Sequence, residues 1–251
     1  MAKASQNKKT ESSGRRKSAP GRLFLLSFIP FLVFSLGFIP VIVSVRLILY
    51  VVSFTTLLDY ILLPFIIALE LFILLISQIL ISGAIIRIFN IKYREGTYPY
   101  TTAENMAFKW MLLCQLYTPM RKILDTIPMG YVKAFYLRLL GMKIGRNNLI
   151  GGTIKDPCVT EFGNNITMGE YAILYGHIHN YEKGTITMKK VKIGNNCIIG
   201  AGAIIMPGVV MEDNAVLGAG ALATKNHVLE KNKTYGGNPA RKILVQKKKQ
   251  T

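Results

Sequence analysis

The stretch Ile193-Gly-Asn-Asn-Cys-Ile-Ile-Gly-Ala-Gly-Ala-Ile-Ile-Met-Pro-Gly208 decides the fold. An apolar residue opens each block of six (Ile193, Ile199, Ile205), and glycine follows the first two openers. Carried backward, the register gives Ile144, Ile150, Asp156, Phe162, Met168 and Leu174; carried forward it gives Met211, Leu217, Ala223, Leu229 and Tyr235. Fourteen blocks result, interrupted only by residues 180–192. A helix repeats every 3.6 residues and an ordinary strand every two, so neither explains a period of six. Short strands stacked coil upon coil do, with apolar openers pointing inward and glycine expected at tight corners. Three blocks per turn predict a triangular parallel β-helix over residues 143–243, roughly 22 Å tall at sheet spacing.

The rest of the chain is segregated by polarity. Of 251 residues, 51% are hydrophobic; 31 Lys and Arg face 13 acids, a formal charge of +18, and mean hydropathy is +0.33. So apolar a composition excludes a disordered tail protein. Three widely spaced cysteines exclude a disulfide framework and suit a reducing compartment. Residues 1–22 hold seven basic side chains and one acid. No aromatic lies among them to stack a base, so this arm is expected to meet anionic headgroups rather than nucleic acid. The tail 244–251, with Lys247, Lys248 and Lys249, reads as solvated or headgroup-bound.

Between Leu23 and Ile86 only Arg46, Asp59 and Glu70 are charged. That length is roughly 96 Å as helix, against a hydrocarbon core of about 30 Å. Basic residues flank both ends, so both ends are expected in the cytoplasm and the number of crossings is even. The reading is a two-helix anchor, 23–52 and 60–86, with Asp59 near its outer turn and Pro30, Gly37 and Pro40 kinking the first helix. No cleaved signal peptide is expected, because the apolar stretch far exceeds an h-region and no small-residue cleavage site follows it. Arg46 is expected to snorkel and Glu70 to be satisfied against the other helix, since two helices are too few to enclose a transport path. Residues 87–142 read as interfacial helices. Thr101-x-x-Glu104 has the form of a capping box, Thr118-Pro119 suggests a second helix start, and Tyr131 to Leu140 an amphipathic basic segment. Trp110, Tyr117, Tyr131 and Tyr136 suit a membrane–water interface.

The interruption carries Gly176-His177-Ile178-His179-Asn180, two of only three histidines. A neutral imidazole is suited to accept a proton from an attacking hydroxyl or amine. His179 is the expected base, and His177, two residues away on the same strand face, its competitor. The bland alternative is that both are polar residues at a coil corner. Glu182 either orients an imidazole or faces solvent, and His227 is read as structural.

The repeat resembles the left-handed β-helix hexapeptide acyltransferases, the superfamily of maltose, galactoside and serine acetyltransferases. The likeness rests on 193–208, on Leu217-Gly-Ala-Gly-Ala-Leu-Ala-Thr-Lys225 and on Gly236-Gly-Asn-Pro-Ala-Arg241. A narrower likeness, over residues 23–245, is to the membrane-bound C-terminal region of poly-lysine-synthetase-type peptide synthetases; it rests on His179-Asn-Tyr-Glu182, Lys189 and Val191-Lys-Ile-Gly194. The resemblance implies a left-handed coil, a homotrimer, and an acyl donor in the cleft between prisms. Acetyl-coenzyme A or another acyl-coenzyme A is the implied co-substrate, with an acyl carrier protein as a variant donor and no permanent cofactor. It places an oxyanion-binding amide at Ala201, pantetheine contacts near Ala219, and the nucleotide end at Thr224, Lys225 and Arg241. The family's usual Thr-Lys-Asp is Thr-Lys-Asn226 here, and the histidine loop is shorter than in the sugar acetyltransferases.

The expected function is therefore a membrane-anchored acyltransferase with cytoplasmic termini and coil, acting on a hydroxyl or amine of a membrane-associated or cell-envelope acceptor. Two alternatives stand beside it. One is a metal-dependent lyase of the γ-carbonic-anhydrase type using His177, His179 and His227. The other is a non-catalytic trimeric scaffold.

Overall fold

A computed structural model describes residues 19–127 and 129–243. Most of the basic arm and all of the 244–251 tail lie outside the described residues.

The C-terminal half is a three-faced parallel β-helix. Its first face stacks Ile144, Phe162, Ile193, Met211 and Leu229 in register. The second stacks Ile150, Met168, Ile199, Leu217 and Tyr235, and the third Ile154, Leu174, Ile205 and Ala223. All of these but Ile144 are buried, so one continuous apolar column fills the prism. The strand Arg241–Ile243 turns back antiparallel on Thr234–Gly236 and closes the second face.

Most vertical partners stand three hexads apart in sequence, as Ile193 and Met211 do, and two kinds of departure break the rule. Phe162 pairs with Ile193, well beyond the third hexad, because an excursion leaves the coil between them. Ile154 pairs with Leu174, slightly more than three hexads on. The hexad register had put Asp156 on the third face; Ile154 occupies that place. Asp156 falls instead in a wider corner that contains the 3-10 turn Pro157–Val159. A carboxylate has no place in an apolar column, and the slip from 156 to 154 takes it out of one.

Asparagine, more than glycine, turns one of the corners. Asn147, Asn165, Asn196, Asn214 and Asn232 all have φ between 55° and 59°. Each side chain in this series donates to the next, at 2.8–3.3 Å. Asparagine tolerates the left-handed region because its short amide bonds locally, and here it also binds one coil to the next. Glycine after the opener serves close approach. A Cβ on Gly200 would collide with the backbone nitrogen of Ala219 in the following coil, and backbone cannot swing aside as a side-chain end can. Gly200→Ala is therefore expected to lower stability by about 1–3 kcal/mol, as overpacking does. Thermal unfolding in detergent, followed by loss of β-sheet circular dichroism, measures it.

The excursion leaves the coil at Gly176 and rejoins at Lys189, whose amide donates to the Gly176 carbonyl at 2.8 Å. Between them His177–Asn180 and Thr185–Met188 form an antiparallel hairpin. Gly96–Pro99, from the segment after the apolar helices, adds a third strand.

Among the described residues five helices precede the coil: α1 (Pro20–Leu36), α2 (Ile39–Val51), α3 (Leu57–Ile88), α4 (Asn105–Thr126) and α5 (Gly130–Leu139). Residues Pro20–Val51 and Leu57–Ile88, 32 residues each, are long and apolar enough to cross a membrane, and most of their large apolar side chains face outward. The first is broken at Gly37. Ser77 Oγ donates to the Gly37 carbonyl and Gln78 Nε2 to that of Phe34, each at 2.8 Å. Buried side chains of α3 thus take up carbonyls beside the break, as an apolar setting requires. Thr56 and Asp59 form a capping box at the start of α3. Glu70 accepts from Ser44 of α2 at 2.7 Å.

The middle segment differs from an interfacial layer. Pro119 lies inside α4 rather than starting a helix, and Glu104 caps α4 by accepting from Met106 N, while Thr101 accepts from Glu104 N. Trp110, Tyr117 and Tyr136 are buried, and among the four aromatics only Tyr131 is exposed. They join the packing that runs without interruption from Leu26 and Ile79 through α4 and α5 into the coil. The reason is polar. Tyr136 Oη bonds Ser82 of α3, Tyr117 Oη donates to the Ile154 carbonyl, and Trp110 reaches Asp156.

Candidate active site

The corner that the hexad register misplaced is where the chemistry gathers. Asp156, fully buried, receives four hydrogen bonds. Oδ1 accepts from Tyr93 Oη at 2.6 Å and Trp110 Nε1 at 3.1 Å. Oδ2 accepts from the Gly176 amide and lies against His177 Nδ1, both at 2.7 Å. Three pieces of chain converge on this carboxylate: the segment after α3, α4, and the point where the excursion leaves the coil.

Burial by itself would raise the Asp156 carboxyl, but the bond and charge of His177 and the donors Tyr93 and Gly176 outweigh it and hold the group below its ordinary value. Asp156 is thus a fully buried anion. Burial first, and then the Asp156 charge, push the Tyr93 phenol well above its usual range, so it remains a donor. An ionised carboxylate only accepts, so in the neutral imidazole the ring proton sits on Nδ1, facing Oδ2, and Nε2 carries the lone pair. This is the geometry of an oriented general base.

His179 lies 5.3 Å from His177, ring centre to ring centre, and packs edge-on to Tyr100 and Trp110 at 4.5 and 5.3 Å. Tyr181 stacks on it at 5.8 Å. Burial, then the neighbouring His177, lower its pKa. Its Nδ1 is buried without a hydrogen-bond partner. Of the two candidates, His177 is the one with an acid to orient it. Glu182 is exposed and no hydrogen bond or ion pair joins it to either imidazole; Asp156 holds the place that Glu182 was a candidate for. His227 stands apart, edge-on to Tyr235 at 5.5 Å. Among the described residues no three His, Cys, Asp or Glu side chains converge as a metal site within the chain.

The residues expected to meet a donor are distributed over two edges of the prism. Ala201 and Ala219, both exposed, stack one above the other on the edge that leads into the third face; Gly220 N donates to the Ala201 carbonyl at 2.9 Å. Thr224 and Lys225, also exposed, follow the third face. They share that edge with His177, two coil spacings or about 10 Å along it. Asn226 turns the corner with φ 62° and accepts from Lys189 Nζ at 2.7 Å. Arg241 is exposed at the start of the closing strand on the second face. The Ala240 amide beside it donates to the Leu222 carbonyl of the third face at 2.8 Å, so Arg241 neighbours the strand that leads to Thr224 and Lys225.

Tyr93, Trp110 and Asp156 carry much of this site, and the sequence reading gave none of them a part in it. The one available signal was Asp156 itself, an acid at a position where every other opener is apolar or small.

The chain matches the family model described as bacterial transferase hexapeptide (six repeats) over residues 190–225. No curated protein matches it. Among solved structures it is similar to a maltose O-acetyltransferase from Clostridium difficile 630, at 26% identity over 50% of this chain and 82% of that one, with a TM-score of 0.39. It is also similar to a galactoside acetyltransferase in complex with coenzyme A, at 25% identity over 49% and 77%, TM-score 0.39. A hexapeptide-repeat acetyltransferase from Vibrio cholerae is similar at 15% identity over 54% and 92%, TM-score 0.42. Residues 190–225 are thus similar to bacterial transferase hexapeptide repeats, and the coils on either side continue the same three faces.

Proposed function

We propose that the protein is a membrane-anchored acyltransferase that moves an acetyl or similar group from coenzyme A to a hydroxyl or amine of a membrane-associated acceptor. The observation that carries the reading is the buried Asp156 at 2.7 Å from His177 Nδ1, beside a hexapeptide coil of the transferase type. His177 Nε2 takes the proton from the acceptor as its oxygen or nitrogen attacks the thioester carbonyl. The carbon–sulfur bond then breaks, and the imidazolium returns the proton to the leaving thiolate. No covalent enzyme intermediate is needed. Asp156 stabilises the imidazolium that forms and keeps the ring aimed.

The two edges bordering the third face carry Ala201 and Ala219 on one side and His177, Thr224 and Lys225 on the other. A donor that touches both groups lies between neighbouring prisms, and the resemblance to the hexapeptide acyltransferases favours a trimer as the active form. The amide of Ala201 is then the donor to the thioester oxyanion, and Lys225 with Arg241 answers phosphate charge. The outward apolar surface of α1–α3 favours two membrane crossings, with arm and coil on the cytoplasmic side by the charge of the flanks.

Calorimetry with acetyl-coenzyme A on the detergent-purified protein tests this. Saturable binding is expected, weakened about tenfold in Lys225→Ala, the effect of losing one charge-assisted hydrogen bond. Absence of binding to folded protein overturns coenzyme A as the donor, and equal binding by the variant removes Lys225 from its site.

A further inference from the structure

The two histidines of the excursion share one face of the strand His177–Asn180, and Trp110 packs edge-on against both rings, at 4.7 and 5.3 Å. Their own ring centres stand 5.3 Å apart. Nδ1 of His177 is held against Asp156, and Nδ1 of His179 is buried without a hydrogen-bond partner. Among the described residues no hydrogen bond engages Nε2 of either ring, and neither Nε2 is buried. The candidate active site therefore offers two open ring nitrogens, and proton transfer uses one of them.

The two nitrogens have opposite character. Asp156 keeps the proton of neutral His177 on Nδ1, so its Nε2 is an acceptor. His179 has the reverse tautomer. A proton on its Nδ1 would bury an N–H among the rings of Tyr100, Trp110 and Tyr181, where only a weak bond to a ring face could answer it. A buried donor without a partner is the rarer defect, so the proton goes to Nε2, where water or a ligand can accept from it. Burial and the neighbouring His177 lower the pKa of His179, which keeps its ring neutral at neutral pH and leaves it this single N–H. Ring centres 5.3 Å apart allow an acceptor and a donor to bond adjacent atoms of one ligand, at about 2.9 Å each.

We infer that His179 selects the acceptor, and that the acceptor is a polyol with vicinal hydroxyls: one oxygen gives its proton to His177 Nε2 while its neighbour accepts from His179 Nε2–H. A simple alcohol engages only the first nitrogen and forgoes the second bond. The inference rests on the acyltransferase reading for the proton transfer, but a diol can bind whether or not it reacts. Trp110 is the chain's one tryptophan and packs on both rings, so its fluorescence reports occupancy. The probes are the cis vicinal cyclohexanediol and cyclohexanol, each titrated into the detergent-purified full chain. The diol is expected to bind about fivefold more tightly, the effect of one neutral hydrogen bond. His179→Phe, which keeps a ring and loses the N–H, is expected to abolish that preference. Equal affinity for the two alcohols in the wild type, or a preference undiminished in the variant, overturns the inference. Nitrogen NMR of the histidine-labelled wild type needs no variant, should His179→Phe not fold. A ring in the Nε2–H tautomer is expected to respond to the diol, and a response confined to Nδ1–H rings overturns the inference. Release of free thiol from acetyl-coenzyme A separates the two readings. Preference for the diol in binding, with no thiol released, counts against acyl transfer and leaves the diol site standing. Thiol release slowed equally for both alcohols in His179→Phe puts the N–H on the thioester and overturns the diol.

Discussion

Asn in place of Asp156 is expected to reduce kcat by about three to four orders of magnitude, with little change in acyl-coenzyme A affinity. The reason is in the four donors that surround the carboxylate. Asparagine has one accepting oxygen and one donating nitrogen. If the nitrogen stands where Oδ2 was, it faces the Gly176 N–H, which has only a proton to offer, and it donates to His177 Nδ1. The imidazole proton is then forced to Nε2, the atom that must be free to accept. If the nitrogen stands where Oδ1 was, it meets the Trp110 N–H, which cannot reverse its role as the Tyr93 hydroxyl can. Either rotamer leaves a buried donor unsatisfied, at about 1–3 kcal/mol, and only the second keeps the working tautomer. His177→Ala should fall as far as Asp156→Asn, and the double variant hardly further, because the two act as one unit. His179→Ala should retain far more activity. Rates on any acceptor found by screening decide it; comparable losses at 177 and 179 would contradict the assignment of the base to His177.

How much of this was readable in the sequence depended on whether a feature repeats. The coil was legible because fourteen openers test one register, and the length of the excursion follows from the single break between its two runs. The pair His177 and His179 was legible because histidine is rare in this chain. Which of them is oriented was not, since that depends on a contact across the corner from residue 156 and on donors from residues 93 and 110. No local spacing encodes such a meeting. Trp110 and Tyr136 were read as interface aromatics because their composition fits a membrane boundary; their N–H and O–H found buried partners instead, which is the usual condition for burying them.

A consequence is that the apolar helices and the reacting corner are not separable parts. Tyr93 follows α3 directly, Trp110 belongs to a helix packed on α1 and α3, and both hydrogen-bond the acid that positions the base. The segment after α3 and helix α4 thus supply two of the four donors that hold Asp156 in place. Cutting the chain ahead of the coil would remove more than a tether.

The largest expected loss of stability follows from the same junction. Asp125, near the end of α4, pairs with Arg121 at 3.0 Å and with Lys133 of α5 at 2.7 Å, and accepts from Thr153 Oγ1 of the coil at 2.7 Å. Lys133 also donates to the Gly152 carbonyl at 2.8 Å, so one carboxylate binds two helices to the first coil. Both cations are nearly out of water, with side-chain exposures of 10% for Arg121 and 6% for Lys133. Removing one partner of a buried pair leaves charge without compensation, which costs about 3–5 kcal/mol. Asp125→Ala strands two such charges and is expected to lie at the upper end of that range. Adding Lys133→Met to it should recover part of the loss, since an apolar side chain then replaces one stranded ammonium. Denaturant or thermal unfolding of the single and double variants measures this, and a loss below about 1 kcal/mol in Asp125→Ala would mean that water reaches the cluster and screens it. The same variants carry a functional readout. If α4 is held in place by Asp125, the loss should extend along the helix to Trp110 and lower the acyl-transfer rate even at temperatures where the protein remains folded.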